Sequence, residues 1–217
     1  GSLWVTLVGM VFAVPVSLLT AIYLSEYARN FTRTVIKPII DILAGIPSVV
    51  YGLWGVLVIV PWVQNSLRPF FERIFPTVAF FNSKNPTGYS ILSGGLVLAV
   101  MVMPFIIAIS YEVMRTVPRG LHEASLAVGS TRWQTVRYVI LPKTFSGLIA
   151  GVVMGTSRAF GETIAVLMVI GNVPNIPVSI FDAAYPLPAL IANNYGEMMS
   201  IPMYDAALLG AALLLLF

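Results

Sequence analysis

The sequence predicts an all-α polytopic membrane protein, and three features of it lead there. Of 217 residues 58% are apolar and only 10% charged, against about 25% charged in an ordinary soluble domain. Long uncharged runs recur along the chain, and Lys and Arg gather between alternate runs. So little polar residue cannot cover a folded surface in water, so lipid is the expected solvent. The absence of cysteine excludes a disulfide framework, thiolate metal sites and thiol catalysis. The net charge of +3 is small, and no basic stripe suits nucleic acid.

Charges divide the chain into spans. Leu3–Leu24 is the first uncharged run. Ile42–Leu67 is the second, most apolar over Ile42–Val63, and Asn85–Tyr111 is the third, with a dense apolar block from Ile91. The fourth, Phe145–Val173, is apolar apart from Arg158 and Glu162. Ala206–Phe217 has 12 residues, short of the ~20 that cross a bilayer. The expectation is four complete transmembrane helices and a truncated fifth in a fragment of a longer chain.

Basic residues orient these spans. Arg29, Arg33 and Lys37 follow span 1, and Arg115, Arg119, Arg132, Arg137 and Lys143 lie between spans 3 and 4. The opposite side holds Arg68, Arg73 and Lys84, and Asn175–Asp205 has no Lys or Arg. Residues 26–37 and 115–143 are therefore expected in the cytoplasm, and loops 64–90 and 174–205 outside. Asn65–Phe81 mixes aromatic and charged residues as an interfacial segment does. PALIANNYGEMM in the last loop suits a short helix begun by Pro188.

The long basic loop keeps helical apolar spacing at Leu121, Ala124, Leu126 and Val128. Gly129 reads as a helix stop and Ser130 as the N-cap of a second helix, Thr131–Val139, running to Leu141-Pro142. Such a helix pair under a membrane domain suits docking of a cytosolic partner, or rest on anionic lipid. Glu123-Ala124-Ser125, Gly129, Val139, Leu141 and Pro142 resemble the EAA loop of ABC-importer permeases, with Ser125 for Ala and Val139 for Ile. LAGIPSVVYG (Leu43–Gly52) and SRAFGETIAVLMVIGN (Ser157–Asn172) resemble second- and fourth-span signatures of phosphate-importer permeases. The GN ending and LIANNYGEM resemble the PstC type of the PstC/PstA pair.

The resemblance implies a type I (MetI-like) ABC-importer permease fold, with residues 1–217 forming one transmembrane permease domain in a prokaryotic inner membrane. It implies ATPase coupling through Glu123, Ala124, Ser125, Gly129, Leu141 and Pro142. It also implies a PstA-like permease partner, a PstB-like ATPase dimer carrying ATP and Mg, and a PstS-like phosphate-binding protein. Same-fold permeases for molybdate or sulfate, and an ion-coupled anion transporter, are the rival readings.

Charge inside span 4 needs a reason, since Arg at a helix centre costs roughly 3 kcal/mol on insertion scales. Gly147, Gly151, Gly155 and Ala159 form a small-residue row that admits close helix packing. Counted at ~100° per residue, Arg158 and Glu162 fall on that packed face as an i,i+4 pair. They are expected to line the substrate path or to hold helices together. An Arg fork suits phosphate oxygens. Glu162 would favour an anion that still carries a proton, hydrogen phosphate over sulfate.

In span 2, Gly45 and Pro47 form a hinge expected to leave the Leu43 carbonyl free, with Ser48 and Tyr51 as path-lining hydroxyls. Pro15 and Pro104 read as ordinary kinks. No phosphate-binding loop motif and no GxSxG occur, and the one histidine, His122, cannot build a zinc site. No catalytic or metal-binding residue is therefore expected, nor any cofactor in this chain. His122 is expected to be solvated or to dock.

Overall fold

The computed structural model describes residues 1–83, 85–198 and 202–216. Lys84, counted above among the loop charges, lies outside them. Helices α1 (Ser2–Tyr27), α3 (Ser48–Ile74), α4 (Ile91–Arg115) and α6 (Arg132–Phe160) are each long and apolar enough to cross a membrane. Between them lie α2 (Asn30–Ala44) and α5 (Arg119–Ala127). After them come α7 (Ile164–Val169), α8 (Leu187–Met198) and α9 (Pro202–Leu216). No strand occurs among the described residues, only an isolated bridge between Gly171 and Ala184. The 15 residues of α9 fall short of a full span.

The second span differs from its expected limits. Gly45–Pro47 is a complete break, so α2 is a separate amphipathic helix and the span starts at Ser48. The Leu43 carbonyl is not left free, because the Ile46 N–H donates to it at 3.2 Å. Asn65–Ile74, expected in an interfacial loop, continues α3 instead.

That continuation passes Pro61 and Pro69. A proline lacks an N–H, and its ring collides with the carbonyl four residues back. Each of these prolines is preceded by one wide π turn, Gly55–Ile59 and then Val63–Leu67. Pro142 in α6 follows the same rule, after the π turn Val136–Ile140. The carbonyl that would collide lies inside the widened turn each time. A helix boundary expected near Leu141-Pro142 is therefore absent, and α6 runs unbroken from Arg132. Pro15 and Pro104 sit inside α1 and α4 without such a turn.

The chain divides into two compact units. The unit of Phe12–Ile46 and Met101–Ser157 is cored by Leu24 of α1, Ile40 of α2, Ile107, Tyr111 and Met114 of α4, and Val136, Ile140 and Leu148 of α6. Its glycine row lies against α4. A Cβ on Gly147 would stand 2.5 Å from Val113 Cγ1, and one on Gly155 would stand 2.6 Å from Ile106 Cγ1. The end of α1 is closed by Arg33, whose Nε and Nη2 donate to the carbonyls of Leu24 (3.1 Å) and Ser25 (2.7 Å). A cation there satisfies carbonyls that a helix end leaves without partners.

The other unit comprises Gly1–Val11, Pro47–Val100 and Arg158–Phe217. It buries Val5 and Val8 of α1, Ile59 and Val63 of α3, Val97 and Leu98 of α4, Val166 and Val169 of α7, and Phe181. The first amides of α4 find carbonyls in the loop after α7: Ile91 N–H donates to Asp182 O (3.0 Å) and Leu92 N–H to Ile180 O (2.9 Å). Asp182 in turn accepts from the amides of Val178 (3.0 Å) and Ser179 (2.9 Å) and from the Ser83 hydroxyl. Arg68 donates to Glu72 Oε1 (2.7 Å), to Ser83 O (2.7 Å) and to Asn85 O. Burial pushes the Asp182 carboxyl pKa up, but the Ser83 hydroxyl, the two amides and the Arg68 charge outweigh it. The net position is below the usual carboxylate range.

Two outcomes follow from this packing. Gly155→Val adds branched volume against Ile106, an overpacking that costs about 1–3 kcal/mol, and should lower the thermal midpoint in detergent. Asp182 binds its proton less readily folded than unfolded, so its ionised form stabilises the fold above about pH 4. That contribution fades as pH falls through the lowered folded value. Asp182→Asn should therefore be less heat-stable than wild type at pH 7, with the gap closing in acid.

Candidate functional site

The fourth apolar run is not one helix. α6 ends at Phe160, Gly161–Thr163 are non-helical, and α7 resumes at Ile164. Glu162 Oε1 accepts from the Ala165 N–H at 3.2 Å, satisfying an amide that the first turn of α7 leaves open. This corrects the expected i,i+4 pair. The ion pairs among the described residues are Lys37–Glu112, Arg68–Glu72 and Glu26–His122, the last only with a protonated imidazole. None joins Arg158 to Glu162, because the break at Gly161 removes the helical register that would have stacked them.

Arg158 also departs from its expected face. Ala159 is buried with the glycine row, whereas Arg158 is exposed in the isolated chain. Within its unit, the Arg158 charge acts on the buried phenol of Tyr51. Tyr51 is carried by α3, which packs on α7 so closely that a Cβ on Gly52 would lie 3.1 Å from Ala165 Cα. Arg158, Glu162 and Tyr51 are thus assembled around one helix break. Ser48 is half-buried at the first position of α3, and Pro47 occupies the N-cap position. α7 stops on two left-handed residues, Gly171 (φ +93°) and Asn172 (φ +53°). Asn172 Nδ2 donates to Leu167 O at 2.9 Å. The GN ending is therefore a helix stop, for which glycine and asparagine carry the least strain.

The coupling segment folds as helix, turn, helix. α5 has no buried residue, and Leu121, Leu126 and Val128 are exposed with Glu123, Ala124 and Gly129. Gly129 takes φ +85°, and its N–H donates to Leu126 O at 3.0 Å. The cap of the next helix is Thr131 rather than Ser130. Its hydroxyl accepts from Gln134 N–H (3.3 Å), and Gln134 Oε1 accepts from Thr131 N–H (2.7 Å), a reciprocal capping box. Ser130 N–H instead closes α5 on Ser125 O at 3.3 Å.

Ser125, the departure from E-A-A, has a use: its hydroxyl meets Thr135 Oγ1 at 3.0 Å and ties α5 to α6. Leu141 is half-buried, and Pro142 is exposed within α6. His122 is not simply solvated; its Nε2 meets Glu26 Oε2, from the last turn of α1. A separation of 96 positions along the chain hid that contact from sequence reasoning.

The family described as the inner membrane component of binding-protein-dependent transport systems matches residues 13–217. The chain belongs to this family. The phosphate transport system permease protein PstC of Xylella fastidiosa is 41% identical over 212 residues, 96% of this chain and 65% of that one. The PstC of Pasteurella multocida is 36% identical over 219 residues, all of this chain and 68% of that one. The chain thus spans about two thirds of the length of these relatives. A solved chain of the MetNI methionine ABC transporter, described as inward-facing, superposes with a TM-score of 0.68 at 23% identity, covering 99% of this chain and 84% of that one. The fold is that of the type I ABC-importer permeases, and this family member is a multi-pass membrane protein.

Thr131→Ala removes one side of the capping box, worth about 1 kcal/mol. Amide exchange at residues 131–135 should speed up in that variant, while exchange in the middle of α4 stays at the wild-type rate.

Proposed function

We propose that this chain is the PstC-like permease subunit of an ATP-driven importer of inorganic phosphate in a prokaryotic inner membrane. The observation that carries the reading is the 41% identity to a PstC permease across 96% of the chain. Its partners are a PstA-like permease, a PstB-like ATPase dimer that holds ATP and Mg, and a PstS-like binding protein. The chain contributes no covalent chemistry. Residues 115–143 face the cytoplasm, and loops 64–90 and 174–205 face outside, as the basic-residue bias supports.

In this reading the exposed face of α5, with Glu123, Ala124 and Gly129, seats on the ATPase. Its movement reaches the membrane helices through the Ser125–Thr135 hydrogen bond and the unbroken α6. Arg158 presents a permanent cation whose planar fork matches phosphate oxygens. Tyr51 and Ser48 add hydroxyls from α3, and Gly45–Pro47 is the hinge at its start. Glu162, with one oxygen already on Ala165 N–H, can accept the proton that hydrogen phosphate retains and sulfate lacks.

The test uses the full-length chain with its partner subunits in proteoliposomes, following ATP-dependent uptake of labelled phosphate against excess sulfate. Wild type should take up phosphate and resist sulfate. Arg158→Gln should lose roughly 10- to 100-fold in uptake, the scale of a lost charged hydrogen bond, while ATPase association persists. Glu162→Gln should become sensitive to sulfate. Undiminished uptake in Arg158→Gln would leave that residue a packing role only, and a wild type that carries no phosphate would refute the substrate.

A further inference from the structure

A wide cleft opens where α1 and α4 end. It has a volume of about 700 Å³ and is open to solvent, between the terminal turn of α1, the start of α2, the end of α4, one edge of α5 and the first turn of α6. All of its walls belong to one compact unit. Five arginines line it, Arg29, Arg33, Arg115, Arg119 and Arg132, against two carboxylates, Glu26 and Glu123.

These groups are not equivalent. Glu26 is engaged by His122. Arg33 is spent on the carbonyls that end α1, and Arg115 lies over the Tyr111 ring at 5.7 Å. The guanidinium groups of Arg29, Arg119 and Arg132 have neither an ion-pair nor a hydrogen-bond partner among the described residues, and all three residues are exposed. Glu123 alone does not balance them. Three guanidinium groups facing one cleft repel each other, and an anion relieves that repulsion.

Two further features identify the anion. The cleft sits where two spans end, and Arg115 is in the last turn of α4. Beside it, α2 exposes an apolar stripe, Phe31 (82%), Val35 (45%), Ile39 (49%) and Ile42 (69%), at helical spacing. A helix that turns such a stripe outward lies at a membrane surface with its apolar side among acyl chains. The volume also exceeds a bare phosphate ion several times over.

We propose that this cleft binds the headgroup of an anionic phospholipid, with Arg29, Arg119 and Arg132 as charge partners of its phosphodiester. Acyl chains would run along the exposed stripe of α2. The site would join lipid to α5 through Arg119, making the seating of the coupling helix sensitive to lipid charge. The inference rests on the cytoplasmic orientation proposed above.

Native mass spectrometry of the purified full-length complex, titrated with phosphatidylglycerol or phosphatidylcholine, tests it. Wild type should bind phosphatidylglycerol in preference. The triple variant Arg29→Gln, Arg119→Gln, Arg132→Gln should bind on the order of 100-fold more weakly, from a factor of about five per arginine at an anionic surface. The corresponding triple change to Lys should restore most of the binding. If the Gln triple fails to assemble, Arg29→Gln alone should still show the roughly fivefold loss.

Equal binding of both lipids, or wild-type binding in the Gln variants, overturns the site. Displacement of the lipid by millimolar inorganic phosphate overturns the lipid assignment in favour of the free ion. Failure of Arg29→Gln to assemble makes the cleft a protein interface instead. Orientation is read separately: Ser130→Cys, the only thiol in this region's sequence, should resist an impermeant maleimide in right-side-out vesicles. Labelling there would refute the orientation, whatever the lipid titration shows.

Discussion

A backbone amide or carbonyl without a partner in hydrocarbon costs several kcal/mol, and that constraint shapes the breaks and wide turns of the long helices. Where prolines interrupt α3 and α6, the helix widens into a π turn and carries on. Where α4 begins, its first amides take the carbonyls of Ile180 and Asp182. Where the fourth apolar run breaks, the carboxylate of Glu162 covers an amide of Ala165. Glu162 serves the backbone there with one oxygen.

Close packing supplies the complementary demand. Lipid tails are as apolar as leucine, so helices associate through contact rather than through expulsion of water. The glycine row of α6 brings its backbone against Val113, Ile109 and Ile106 of α4. Gly52 and Gly55 do the same for α3 against α7 and α4. Lys37 and Glu112 pair at the edge of the unit they share.

Much of this was legible in the residues. Uncharged runs located four spans because hydrophobic length is a one-dimensional property. The glycine row and the Gly129 stop were legible because spacing and backbone freedom are local. Regular periodicity misled wherever a single residue altered the register. Counting ~100° per residue through Gly161 put Glu162 above Arg158, whereas the helix ends before it. Gly45–Pro47 read as a kink within a span, yet it separates α2 from α3. Ser130 and Thr131 are both good caps by type, and only Gln134 at the right distance distinguishes Thr131. The Glu26–His122 contact and the arginine cleft join remote segments, and no periodicity reports such a meeting.

The π turns have a consequence for the way this fold varies among its relatives. A π turn holds one residue more than the α-helical turn it replaces, so each amounts to a single-codon insertion absorbed without breaking the helix. In α3, two of them stand at Pro61 and Pro69. A lineage that loses one of these prolines can also lose one neighbouring residue and return the local turn to α geometry. One-residue gaps inside a membrane span, ordinarily taken as alignment errors, are then expected at these points. Because the π turn absorbs the extra residue locally, each such gap would leave the far part of the helix facing as before, with the same side chains toward lipid and toward protein.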